Sequence, residues 1–227
     1  MRLTIAHRYD FRDDRRAIGD DLVLPEAWDA ARDTSGAFGL PESRDEWERL
    51  AGQPQLERRA RDIVAIARRL GARSLCSHGA GTGALELNIH RLAPDLALTC
   101  TDYAPRATER LGRLFSEAFV IAHDLAREEP PPADLHLMHR IDTELDAETW
   151  KRVVARFAEP IVLVPTLLLD AERVLKEVAL RVLSPRASRA GWMRTEDALR
   201  ALWSATHSDE IISIGEQRSF LLTPVRQ

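Results

Sequence analysis

The sequence predicts an α/β protein: a doubly wound, mostly parallel seven-stranded sheet with a C-terminal antiparallel edge pair and an N-terminal helical arm. Three observations predict it. Between Arg73 and Val164, short apolar runs of strand length alternate with segments of helical period, the pattern of a parallel sheet covered by helices. The chain then ends differently, on two β-rich runs joined by Gly215-Glu216-Gln217-Arg218, a linker that suits a hairpin. Residues 1–52 differ from both. The charged run Arg8–Arg16 has no apolar period, and Ser35-Gly36-Ala37-Phe38-Gly39 reads as loop.

In order, Pro25 and Pro41 can each open a short helix, one carrying Trp28 and the other Trp47. This arm, residues 1–52, is expected to pack over the main domain, residues 53–227, as a lid. Leu56, Ala60, Ile63, Ala67 and Leu70 form one stripe of a helix that Gly71 ends. Strands are expected at 73–78, 96–101, 119–122, 134–139 and 161–164, then at 210–214 and 219–223. Helices lie between them: 83–92, one from Pro105, 147–157, and 171–183 with Val174, Leu175, Val178 and Val182 inward. Thr195 can cap a last helix expected to run through Leu199, Leu202 and Trp203. The link from Asp124 to Asp134 holds three prolines and no room for a helix, yet it is long enough to cross two strands.

Composition narrows the class. At 227 residues the chain can bury a substantial core. A net charge of -4 argues against nucleic acid as the main partner. The longest apolar run, Ile161–Leu169, contains Pro165 and is too short to span a membrane. The two cysteines, Cys76 and Cys100, are expected as free thiols, and a cytoplasmic location is the expectation.

The most informative stretch is Ser74 to Leu85. Gly79, Gly81 and Gly83 follow a short strand and open a helix. They let the chain bend and let a ligand approach the main chain, facing the free amides and positive dipole end of the helix. That is a nucleotide-like cofactor turn. Asp102 ends the next strand, so its carboxylate can accept hydrogen bonds from ribose hydroxyls, and Asp124 follows the third. The glycine pattern with Asp102 also satisfies the dinucleotide spacing, so a nicotinamide-dependent oxidoreductase is an alternative.

Over residues 55–225 the order and spacing resemble the class I S-adenosylmethionine-dependent methyltransferases. The glycine turn, Asp102 in Leu98–Tyr103, Asp124, the Asp134–Asp142 segment and the closing helix–strand–strand carry the resemblance. It implies S-adenosyl-L-methionine as cofactor, with His78, Gly79, Ala80, Gly81 and Gly83 near its amino-acid end. Asp102 and Tyr103 would lie at the ribose, Asp124 at the adenine amine, and Leu125 over the ring. Ser77 departs from the pattern, because the family usually carries an acid there. The second alternative is a non-catalytic cofactor-binding or interaction protein of the same fold.

Ligands enter open α/β sheets beyond the carboxyl ends of the strands. The acceptor, expected to be a small molecule, should therefore meet Met138–Glu144 and Pro165-Thr166. His139 is the candidate general base, with Asp142 or Glu144 to orient it. Thr143 and Asp146 read equally well as helix caps. His136 and His139 face opposite sides of one strand, so no metal centre is expected. Oligomeric state is left open.

Overall fold

The computed structural model describes residues 2–9, 39–183 and 188–225. It runs β1 (Thr4–Tyr9), α1 (Arg44–Ala51), α2 (Pro54–Leu70), β2 (Ser74–His78), α3 (Ala84–Leu92), β3 (Ala97–Asp102), α4 (Pro105–Leu114) and β4 (Phe119–Ala122). It continues through β5 (Leu135–His139), α5 (Ala147–Ala155), β6 (Ile161–Val164), α6 (Ala171–Leu183), β7 (Ser188–Arg194), α7 (Glu196–Arg200), β8 (His207–Ile214) and β9 (Gln217–Pro224).

Seven strands form one sheet in the order β4-β3-β2-β5-β6-β9-β8. The run from β4 to β6 is parallel, and β9 and β8 close it antiparallel. The winding reverses between β2 and β5, and the proline-rich link from β4 to β5 passes across β3 and β2, as its length allows. Beyond the carboxyl ends of β2 and β5 the loops diverge and leave a crevice. Gly215 and Glu216 turn β8 into β9 with φ of 54° and 71°, the two positive angles that a two-residue hairpin of this hand needs.

Strand alternation builds two apolar layers. Leu75, Leu135 and Leu137 face α2 and α3, packing on Ile63, Ala67, Leu85 and Ile89. Met138 and Leu163 face Trp150, Phe157, Leu199 and Trp203. Pro54 opens α2, and Gly71 closes it at φ 68°, the latter as the sequence indicates. Among the described residues no helix is long and apolar enough to cross a membrane.

Several expectations need correction. The first described residues are a strand and not part of a helical arm: β1 pairs antiparallel with β7, in a second, two-stranded sheet. The two strands lie far apart in the chain, so neither local sequence reveals the other. The helix carrying Trp47 starts at Arg44 and not at Pro41, because the Ser43 hydroxyl caps it by accepting the Glu46 amide at 3.2 Å. Leu175 is 71% exposed, so α6 does not bury that position. The proposed Pro25 helix with Trp28 lies outside the described residues.

Candidate functional site

The turn after β2 holds Gly79, Gly81 and Gly83 at φ of 65°, 61° and 67°. Gly79 also satisfies a packing demand, since a Cβ there would meet the Ile141 Cγ2 at 2.5 Å. The turn is fastened on three sides. The Ala80 amide donates to the Thr101 carbonyl at 2.9 Å. The Trp47 indole, fully buried and edge-on to Phe115, donates to the Thr82 carbonyl at 2.8 Å. Gly81 and Ala104 donate their amides to the two carboxylate oxygens of Asp102, at 3.0 and 3.1 Å.

In front of the turn is a cavity of about 410 Å³, inside the range of small-ligand sites. Gly79, Tyr103, Asp124 and Leu125 line one side, and Ile141 and Trp192 line the other. The far wall comes from β7. Arg194 is buried and donates to the carbonyls of Asp142 and Leu145, each at 2.6 Å, and the Trp192 amide donates to the Thr143 carbonyl at 2.8 Å. Gly191, at φ 101°, packs so close that a Cβ would lie 1.9 Å from the Thr143 oxygen.

The structure gathers part of the expected site on this cavity. Gly79, Tyr103, Asp124 and Leu125 line it, while Ala80, Gly81 and Gly83 shape the turn behind it. Asp102 is 3% exposed and its carboxylate organises the turn. Asp124 presents its side chain to the cavity while its Oδ1 accepts the Ala126 amide at 2.9 Å. Leu125 is held by Arg156, which reaches across from the end of α5 to the Leu125 and Glu128 carbonyls.

His78, His139 and Asp142 are placed elsewhere. His78 is buried beneath the cavity. His139 lies on the α2 side of the sheet, where its Nε2 accepts from Arg59 at 3.3 Å. Burial, with Arg59 and Arg140 beside it, pushes its pKa down to about 3, which makes it a weak base. The Asp142 carboxylate is buried and accepts the Thr166 amide at 2.5 Å, tying the loop after β5 to the loop after β6. Burial raises its pKa. Asp146 caps α5 by accepting the Thr149 amide at 2.8 Å, while Thr143 gives its carbonyl to β7.

A carboxylate does reach Ser77, from the next helix. The Ser77 hydroxyl donates to Glu86 Oε1 at 2.6 Å, with both residues buried. Burial pushes the Glu86 pKa up to about 7, against the lowering effect of the Ser77 hydrogen bond. On the opposite face of β2, Cys76 and His78 stand beside His136 of β5. The Nε2 of His78 lies 3.1 Å from His136 Nδ1, and its Nδ1 lies 3.3 Å from the Thr101 hydroxyl.

Sequence reasoning did not find His123, Thr101 or Trp192 as cavity residues. His123 had an available signal, since it directly precedes Asp124 at the carboxyl end of a parallel strand. Trp192 had none, because it depends on the pairing of β7 with β1.

No protein-family model matches the chain, and no curated protein sequence matches it. Solved structures do. Human N-acetylserotonin methyltransferase in complex with SAM superposes with a TM-score of 0.57 at 18% identity, over 81% of this chain and 57% of that one. The fold is the methyltransferase fold. PigF with SAH gives a TM-score of 0.62 at 14% identity, over 95% of this chain and 64% of that one. Streptomyces venezuelae DesVI gives 0.57 at 12% identity, over 78% of this chain and 95% of that one. The chain thus spans little more than half the length of the human enzyme. Within the methyltransferase fold the cavity lies where the winding of the sheet reverses, beyond the carboxyl ends of β2 and β5.

Proposed function

We propose that the chain is an S-adenosylmethionine-dependent methyltransferase acting on a small-molecule acceptor. The observation that carries this reading is the cavity itself. It sits at the switch point of the sheet, with a glycine turn on one side and Asp124 and Leu125 beside it. The size and the mixed apolar and acidic lining fit the cofactor. Tyr103 and Leu125 offer apolar surface for its rings, and Asp124 offers acceptors for its amine and hydroxyl donors.

Bound there, S-adenosylmethionine supplies a methyl group on a positively charged sulfur. The chain's part is to hold the acceptor in line, exclude water and take up any proton the acceptor loses. Trp192 and Ile141 form the apolar wall on the far side. Glu144, which lines the same cavity, is the proton acceptor in this reading. His139 and Asp142 position the β5 loop: one stands against Arg59, the other holds the Thr166 amide. Residues 1–52 as a lid over the acceptor, anchored by the pairing of β1 with β7, and a cytoplasmic location, belong to the same reading.

Calorimetric titration with S-adenosylmethionine, S-adenosylhomocysteine and NAD in parallel tests it. Micromolar binding of the first two and none of NAD is expected. Binding of NAD alone would overturn the reading, and silence from all three would leave the fold without this cofactor. Glu144→Gln should retain cofactor binding and lose most turnover at neutral pH.

A further inference from the structure

The buried cluster beneath the cavity floor has a use that methyl transfer does not require. Cys76 and His78 sit two residues apart on β2, so their side chains share one face. His136 pairs in register with Cys76 from β5 and presents its ring to the same face. One donor atom from each of the three lies within 4.8 Å of the other two. All three residues are no more than 1% exposed.

The geometry points to a metal site here for a zinc-type divalent cation, with Cys76 Sγ, His78 Nε2 and His136 Nδ1 as ligands. Zinc takes thiolate and imidazole at about 2.0–2.3 Å in a tetrahedron, which sets its donors roughly 3.3–3.7 Å apart. The His78–His136 nitrogen separation, 3.1 Å, is already close to that. His78 Nδ1 would keep its proton and donate to Thr101, the kind of outer hydrogen bond that orients a ligating imidazole. The Phe157 ring meets His136 edge-on at 4.6 Å and closes the apolar side.

A second observation points the same way. His123 is 7% exposed, its ring centre is 6.1 Å from that of His78, and its Nδ1 has no hydrogen-bond partner among the described residues. It stands next to the cluster as the candidate fourth ligand, outside the three donors that already lie together. His123 also lines the cavity, so the alternative in the fourth position is a molecule from the cavity. The protons balance simply. Cys76 loses its thiol proton to solvent, and His78 and His136 bind as neutral imidazoles with their remaining protons on the far nitrogens.

The test is titration of the intact, reduced protein with Co²⁺ as a spectroscopic stand-in. One equivalent should bind with a thiolate-to-cobalt charge-transfer band and intense visible bands of a tetrahedral ion, and Zn²⁺ should displace it. Cys76→Ser should abolish the charge-transfer band. Cys100→Ser should keep it, because Cys100 pairs with Ser77 and faces the other layer. His136→Asn should weaken Co²⁺ binding by roughly tenfold or more. Wild type without stoichiometric tetrahedral cobalt overturns the proposal, and so does a band that survives Cys76→Ser or vanishes with Cys100→Ser. Circular dichroism confirms that each variant is folded. If Cys76→Ser does not fold, the wild-type spectrum and His136→Asn decide. None of these readouts depends on the cofactor, so the metal site and the methyltransferase reading fail separately.

Discussion

The two walls of the cavity are built in opposite ways. The near wall is the turn from Gly79 to Gly83, whose shape is set mainly by three positive φ angles and the Asp102 carboxylate one strand away, with the Trp47 indole as its one more distant tie. The far wall is Gly191, Trp192 and Arg194, and it is held by the pairing of β7 with β1 and by the loop after β5. A local device tolerates a poor neighbour. A wall assembled from three distant segments does not.

Substitutions can break that comparison, beginning with the far wall. Gly191→Ala should be the most damaging, at about 4 kcal/mol, because its Cβ would meet main-chain atoms of Thr143 and its φ of 101° suits only glycine. Urea denaturation would measure it. Arg194→Met should cost about 3 kcal/mol by removing charged donors from the Asp142 and Leu145 carbonyls. It should also impair acceptor turnover more than cofactor affinity. Equal loss of both would mean that the walls are one unit.

The near wall should respond with effects no larger than that of Gly191→Ala. Glu86→Gln is expected to stabilise, by up to about 3 kcal/mol at pH 9. The folded carboxyl titrates near 7 and an unperturbed one near 4.5. Ionisation is therefore harder in the folded state, and stability is full below pH 4.5 and falls as pH rises through 7. Thermal melts of both proteins should coincide at pH 4 and separate by pH 9. Gly79→Ala should cost about 2 kcal/mol, less than Gly191→Ala, because the obstructing atom is the end of the Ile141 side chain, which can turn aside. If Gly79→Ala proves the worse, the local wall is the rigid one.

This contrast also explains what the sequence made legible. The glycine turn, the parallel order and the closing hairpin could be read because each has a short-range chemical cause: positive φ, apolar alternation, a turn between two strands. His136 and His139 were rightly set on opposite faces, but only strand order brings His136 against His78. Asp142 drew notice as an acid past a strand end. Its commitment to Thr166 follows from where β6 ends, which no residue near Asp142 encodes. For Asp102 the position was legible, and the amides of the turn and the following loop that its carboxylate oxygens bond were not.

The β1–β7 pairing also has a consequence in time. Thr4 meets Arg194 across roughly 190 residues of chain. At about 5–20 residues per second of synthesis, the first strand waits roughly 10–40 s for its partner to be made. The main sheet also waits for its last strands, but its β2–β3 and β3–β4 neighbours are close in sequence and can pair early. During that interval β1 is an unpaired edge, open to any strand that passes. A segment exposed to mispairing during birth is therefore one that later supports the Trp192 wall.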